Sequence, residues 1–328
     1  MVRFGVVGTN WITEEFISAA KQVDGFCLAA VYSRSREKAQ AFAARHQVNL
    51  VFTDIKEMAQ DQRLDAVYIA SPNSLHAEQT ILFLSNKKHV LCEKPLASNT
   101  KEVKAMFEAA RDNQVLLMEA LKTTFLPNFL AIQRNLPKIG RVRRYFANYC
   151  QYSSRYDLYK EGKQPNTFNP AFSGGALMDL GVYCLYPAVA LFGRPQKVQA
   201  TAFLLDSGVD GAGSLTLSYP DGDAVLMYSK ITNSSVASEI QGEKGNIVID
   251  KIAAPIKSVI EYRDGSTEDI TVPQSENSMY YEAKEFINLI QDNKLESAVN
   301  SFKTSLTVME IMETARQQFG LIFPADSK

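Results

Sequence analysis

The first third of the chain alternates short β-rich runs with helical stretches. Residues 4–7, 27–32, 66–70, 89–92 and 115–118 read as strands, and 39–45, 77–84 and 101–112 as helices. Asp54 with Glu57 three residues on, Ser74, and Asn99 or Thr100 are predicted to open helices. This βαβ alternation predicts a doubly wound parallel sheet. Beyond a helical stretch at 128–135 the period changes, and residues 142–152, 198–205, 214–219, 224–231 and 246–252 alternate as half-buried strands do. Asp221-Gly222 and Asp264-Gly265 are hairpin turn signals between such runs, and two amphipathic helices, 279–291 and 302–319, follow. The expected fold is therefore α/β plus α+β: an N-terminal Rossmann domain over residues 1–121, and a domain with a large, mostly antiparallel sheet over 122–328.

Composition narrows the partners. At 328 residues with a net charge of −1, the chain offers no overall field for a polyanion, so nucleic acid is not an expected partner and a small molecule is. No uninterrupted apolar run of roughly 18 residues suggests a membrane span. No basic leader precedes the first strand, which makes a cytoplasmic location the expectation. Four scattered cysteines and three histidines give no metal-ligand spacing, so no metal is expected and the thiols read as reduced.

Gly8-Thr9-Asn10-Trp11-Ile12 follows the first strand and opens a helix, where a pyrophosphate would meet backbone N–H groups and the helix dipole. Of the three small positions in the dinucleotide fingerprint only Gly8 is glycine; Asn10 and Thr13 hold the others. Asn tolerates positive φ better than other side chains, so the turn is expected to survive. Where NAD-binding chains carry an acid after the second strand, this one reads Ser33-Arg34-Ser35-Arg36. That points to NADP(H) rather than NAD(H), with Ser33 and Arg34 on the 2′-phosphate. Ser71-Pro72-Asn73 with His76, and Glu93-Lys94-Pro95, end two further strands and should border the same ligand. Far downstream, Gly174-Gly175-Ala176-Leu177-Met178-Asp179 leads into Tyr183, and an i, i+4 spacing puts carboxylate and phenol on one helical face.

Gly8 in its turn, Glu93-Lys94-Pro95, and Gly174 to Asp179 with Tyr183 resemble, in order and spacing over nearly the whole chain, the Gfo/Idh/MocA oxidoreductases. The nearer likeness is to the branch with dimeric dihydrodiol dehydrogenase, NADP-dependent xylose dehydrogenase and glucose-fructose oxidoreductase. The resemblance implies Lys94 as the central catalytic residue, Tyr183 as proton donor or acceptor, and Asp179 as a substrate-orienting partner. It also implies Asn73 and His76 beside the nicotinamide, and a cis peptide between Lys94 and Pro95. The chemistry is consistent: alcohol oxidation needs a hydroxyl proton removed as hydride departs, and a phenol of pKa near ~10 becomes a better base beside an ammonium.

Thr123 and Thr124 stand where that branch carries Trp and Arg at positions that face substrate, so its sugar or diol specificity does not transfer. Tyr152, Arg155, Tyr156 and Phe168 are the candidates to line the cleft instead. The expected activity is hydride transfer between NADP(H) and a sugar, polyol or related alcohol or carbonyl. A redox-neutral glycosidase with a nicotinamide cofactor and a non-catalytic nucleotide sensor remain as alternatives. Val225, Met227 and Ile231 suggest an apolar sheet face and, as the family often shows, a homodimer through it.

Overall fold

The computed structural model describes residues 1–327, which fall into two compact units. The first comprises Met1–Lys122 and Ser275–Phe302; the second comprises Thr123–Gln274 and the chain from Lys303 onward.

In the first unit, β1 (Val2–Val7), α1 (Trp11–Ala20), β2 (Phe26–Tyr32), α2 (Arg36–Arg45), β3 (Leu50–Phe52), α3 (Ile55–Gln60), β4 (Ala66–Ile69), α4 (His76–Ser85), β5 (His89–Glu93), α5 (Thr100–Asn113) and β6 (Leu117–Ala120) follow one another. The strands pair in parallel in the order β3-β2-β1-β4-β5-β6, the doubly wound dinucleotide-binding topology. Sheets covered on both faces need continuous apolar strands, and β4 is buried at every position. Phe4 on β1 packs against Phe16, Phe26 and Phe286, and the rings of Phe16 and Tyr68 stack at 3.9 Å. Phe286 comes from α9 (Tyr280–Gln291), a late helix that returns to this unit and packs on α1.

The second unit holds α6 (Pro127–Asn135), β7 (Val142–Cys150), α7 (Ser154–Lys160), α8 (Val182–Phe192) and seven further strands: β8 (Lys197–Leu204), β9 (Asp210–Tyr219), β10 (Gly222–Ser229), β11 (Ser238–Gly242), β12 (Gly245–Ile249), β13 (Ser258–Tyr262) and β14 (Thr267–Asp269). Helix α10 (Phe302–Phe319) follows the last segment of the first unit. The sheet order is β14-β13-β12-β11-β7-β10-β9-β8, antiparallel except for the parallel β7–β10 pair. Both Asp-Gly signals make hairpins, between β9 and β10 and between β13 and β14. On β10, Ala224, Leu226 and Tyr228 are buried and alternate with Val225 and the 41%-exposed Met227. Ile231 lies past the strand end and packs against Phe168, Leu205 and Val209, so it does not belong to that outer face.

The segment Pro170–Phe192 is long and apolar enough to cross a membrane by composition, yet 72% of its most apolar window is buried inside the fold. The Tyr145 hydroxyl donates to the Cys184 carbonyl at 3.2 Å, and the Tyr186 hydroxyl sits 3.0 Å from Ser305 Oγ on α10. Those bonds tie α8 to β7 and to α10, which suits a core element.

Two local expectations need correction, and a third is borne out in one of its two forms. Ser74 does not cap α4, because residues 73–75 form a 3₁₀ turn that runs into the helix at His76. Asp54 caps α3 through the Lys56 N–H, not through a reciprocal box with Glu57. Asn99 caps α5, and the Glu102 carboxylate reaches back to the Ser98 N–H at 2.9 Å.

Candidate active site

Four strand ends of the first unit, those of β1, β2, β4 and β5, carry the candidate phosphate turn, the candidate ribose segment, Ser71-Pro72-Asn73 and the Glu-Lys-Pro turn. Gly8 sits at φ +113°, and a Cβ there would stand 2.9 Å from the Ala70 carbonyl oxygen, so glycine is required where β1 and β4 converge. Asn10 is not in the left-handed region: at φ −94° it is the N-cap of α1. Its Oδ1 accepts from the Thr13 N–H at 3.3 Å and from the Thr13 hydroxyl at 3.2 Å, and its Nδ2 donates to the Ala70 carbonyl at 3.1 Å. A side-chain brace thus replaces the second and third glycines, leaving the first-turn N–H groups of Trp11 and Ile12 at a helix N-terminus with the exposed Trp11 beside them. At the end of β2, Ser33 and Ser35 shape the turn into α2 and Arg34 is exposed. A glycine cradle, a ten-residue helix N-terminus and an exposed guanidinium beyond the second strand suit a phosphorylated dinucleotide.

The turns after β4 and β5 are tied together by His76. Its ring is 1% exposed, with Nδ1 2.9 Å from the Pro95 carbonyl and Nε2 2.9 Å from the Ser71 carbonyl. Burial lowers its pKa, the two carbonyls oppose that, and the Lys94 charge adds to the lowering. His76 therefore acts on the backbone that carries Ser71-Pro72-Asn73 and Lys94. The Lys94–Pro95 peptide is cis, and the Lys94 side chain is half-buried. Beside it, Glu93 is buried; it accepts from the Tyr68 hydroxyl at Oε1 and from the Lys94 N–H at Oε2. Burial raises the Glu93 pKa and the Lys94 charge opposes the rise. Glu282, on α9, is a second buried carboxyl that the sequence reading missed; burial and the Glu93 charge both push its pKa up.

The second unit carries the other polar set. From residue 173 to residue 189 every side chain is buried except Asp179 and Tyr183, which are half-exposed. Asp179 lies not on a regular α-helix but on a π-turn, Leu177–Gly181, that widens just before α8. Such turns recur at functional sites. The Tyr149 ring meets Tyr183 edge-on at 5.7 Å, and Lys230 pairs with Asp179 Oδ2. Tyr156 and Tyr159 stack at 5.9 Å and pack on Phe168, with the Lys160 ammonium over Tyr156. Tyr152 joins that group edge-on, whereas Arg155 is exposed. Thr123 and Thr124 are buried, and the Thr123 hydroxyl donates to the Ala253 carbonyl at 2.6 Å. Among the described residues no cluster of three metal-ligating side chains occurs.

Asp210 on β9 holds the start of this helix: its Oδ2 accepts from the Leu177 N–H at 2.6 Å. Burial pushes its pKa up to about 6, against backbone donors from Leu177 and Ala176 and the Arg316 charge. A carboxyl raised above the unfolded value of about 3.9 makes the folded state bind more protons between roughly pH 4 and 6, so stability falls as pH rises through that window. Asp210→Asn keeps an acceptor for Leu177 and removes the titration. The variant should therefore gain on the wild type, by up to about 3 kcal/mol, as pH rises from 4 to 6 in chemical denaturation. A stability gap that stays constant with pH would contradict this.

The strand order, the Gly8 turn and the polar strand ends define a Rossmann-type dinucleotide-binding protein. A sequence model of the oxidoreductase family with an NAD-binding Rossmann fold, GFO_IDH_MocA, matches residues 2–121, and one of the GFO/IDH/MocA C-terminal domain matches 137–248. The chain belongs to the Gfo/Idh/MocA oxidoreductase family. It is 56% identical over 326 residues to scyllo-inositol 2-dehydrogenase (NADP(+)) IolU of Bacillus subtilis (strain 168), covering 99% of each chain. It is 30% identical to trans-1,2-dihydrobenzene-1,2-diol dehydrogenase of Danio rerio, covering 100% of this chain and 99% of that one. Among solved structures, aldose-aldose oxidoreductase from Caulobacter crescentus has a TM-score of 0.86 at 21% identity over 97% of both chains.

Proposed function

We propose that this protein is an NADP(H)-dependent dehydrogenase of cyclic polyols, with scyllo-inositol as the first substrate to try. The observation that carries the reading is the exposure of Asp179 and Tyr183 alone between residues 173 and 189: burial excuses every other side chain in that stretch, so these two are kept in reach of a ligand. The 56% identity to an NADP-dependent inositol dehydrogenase supports the substrate class and the cofactor, and Ser33 with Arg34 in place of an acid supports the 2′-phosphate.

The bound nicotinamide supplies the hydride acceptor or donor. Gly8, Thr9, Asn10, Trp11 and Ile12 hold the pyrophosphate, and Ser71, Pro72, Asn73 and Glu93 border the nicotinamide end. His76 keeps those turns in place. Tyr183 takes the hydroxyl proton in oxidation and returns it in reduction, Lys94 stabilises the negative charge that develops on the substrate oxygen, and Asp179 accepts a neighbouring hydroxyl. The half-exposed Tyr156 and Tyr159 on Phe168, with Tyr152 edge-on to Tyr156, offer aromatic faces of the kind polyol rings use. A second copy of the chain is the partner assigned to the sheet face that carries Phe203 and Met227, to be checked by native mass.

The test is incubation with NADP or NAD at mildly alkaline pH and a panel of inositols, sugars and trans-dihydrodiols, followed by nicotinamide absorbance. Turnover of an inositol with NADP preferred over NAD is expected. NADP binding without turnover anywhere in the panel would reject the dehydrogenase reading, and tighter NAD binding would reject the cofactor.

A further inference from the structure

Lys230, just beyond the end of β10, is 5% exposed, and its ammonium pairs with Oδ2 of the half-exposed Asp179, 51 residues away. A buried cation is costly unless paired, and Asp179 offsets that cost for Lys230. The backbone of the same residue is fixed on both sides. Its N–H donates to the Gly211 carbonyl at 2.8 Å, next to the Asp210 that holds Leu177, and its carbonyl accepts from the Ser153 N–H at 2.8 Å. Ser153 is the N-cap of α7, which carries Tyr156 and Tyr159.

We propose that Lys230 is a positioning residue: it holds the Asp179 carboxylate aimed from the π-turn, and ties that aim to the aromatic segment of α7. The inference rests on the reading of Asp179 as the acceptor of a substrate hydroxyl. A lone carboxylate on a widened turn samples several rotamers and is solvated by water. With one oxygen committed to a buried ammonium, the carboxylate presents a single orientation. Lys230 itself stays behind Asp179, so its effect on the reaction passes through that side chain.

The experiment is a cycle of Lys230→Met, Asp179→Asn and the double variant, with Lys230→Arg as rescue. It reads kcat, KM for the polyol, NADP affinity and the thermal midpoint. Lys230→Met should lower kcat/KM by about 10- to 100-fold, mainly in kcat, as for other small misplacements of an orienting group, with NADP affinity unchanged. Lys230→Arg should recover most of that loss. The double variant should be no slower than the slower single variant, and it should melt above Asp179→Asn, which strands the buried cation. Wild-type kcat/KM in Lys230→Met, or losses that multiply in the double variant, would overturn the proposal. Should Lys230→Met not fold, Lys230→Arg and the midpoints of Asp179→Asn and the double variant decide: a double variant no more stable than Asp179→Asn overturns it. If the wild type turns over no polyol, the dehydrogenase reading fails by itself, and coupled or additive midpoints still uphold or overturn the role of Lys230.

Discussion

Lys94→Ala should lower kcat/KM for polyol oxidation by about 10²- to 10⁴-fold, the range lost when a positioned proton-handling or charge-stabilising group is removed. The loss should sit in kcat, because the ammonium matters most when charge develops on the substrate oxygen. Lys94 is half-buried, and its turn is held by bonds that the substitution leaves in place: His76 to the Pro95 carbonyl, and the Leu96 N–H to Glu119 Oε1 at 2.9 Å. NADP affinity and the thermal midpoint should therefore stay near wild type. That split separates a chemical role from a structural one. A variant that keeps more than a tenth of the wild-type rate would remove Lys94 from the reaction.

Gly175→Ala should have the largest effect on stability. Gly175 has φ +126°, a conformation that costs a residue with a Cβ about 1–3 kcal/mol. The added Cβ would also lie 2.1 Å from Asp210 Oδ1, forcing the carboxylate off the Leu177 N–H and leaving a buried donor and acceptor to find new partners at about 1–3 kcal/mol more. The midpoint should fall by roughly 10 °C, with kcat falling too because the start of the π-turn moves. Gly208→Ala is the control: its φ is +88° with open space around the Cβ, so it carries the backbone strain without the collision. Equal losses in the two variants would mean that Asp210 does not brace this turn.

Much of the first unit was legible because a parallel sheet covered on both faces demands apolar runs: β2 and β4 are apolar throughout, and β1 and β5 keep apolar cores broken only by Arg3 or bounded by His89 and Glu93. The three-residue β3 was missed; Leu50–Phe52 is too short for any period to register. Strand β6 came out two residues later than its apolar run, because Gln114 adopts a left-handed C-cap at φ 55° and Val115 and Leu116 are spent leaving α5. In the second unit, β11 was not read at all, and β13 and β14 only through the Asp264-Gly265 turn between them. The buried positions are Ser238 and Ile240 on β11 and Ser258 and Ile260 on β13, so a single isoleucine marks the inner face of each, and neighbouring strands supply the order.

The candidate residues were legible where chemistry is local. Gly8, Glu93-Lys94-Pro95 and the Gly-Gly-Ala-Leu-Met-Asp run are each contiguous, and a turn or a helix start is decided by a few neighbouring residues. Asn10 shows the limit. Its type pointed to positive φ, but the Ala70 carbonyl 60 residues away turned it into a cap and a brace.

The sequence by itself determined the fold class, the family and which strand ends carry polar residues, because periodicity and contiguous motifs are properties of neighbouring positions. Only the tertiary structure decided that 275–302 returns to the first unit, that β7 and β10 pair in parallel, and that Asp179 stands on a π-turn held by Asp210 and Lys230. Each depends on partners tens of residues or more apart, and which distant groups meet is set by the packing of whole elements.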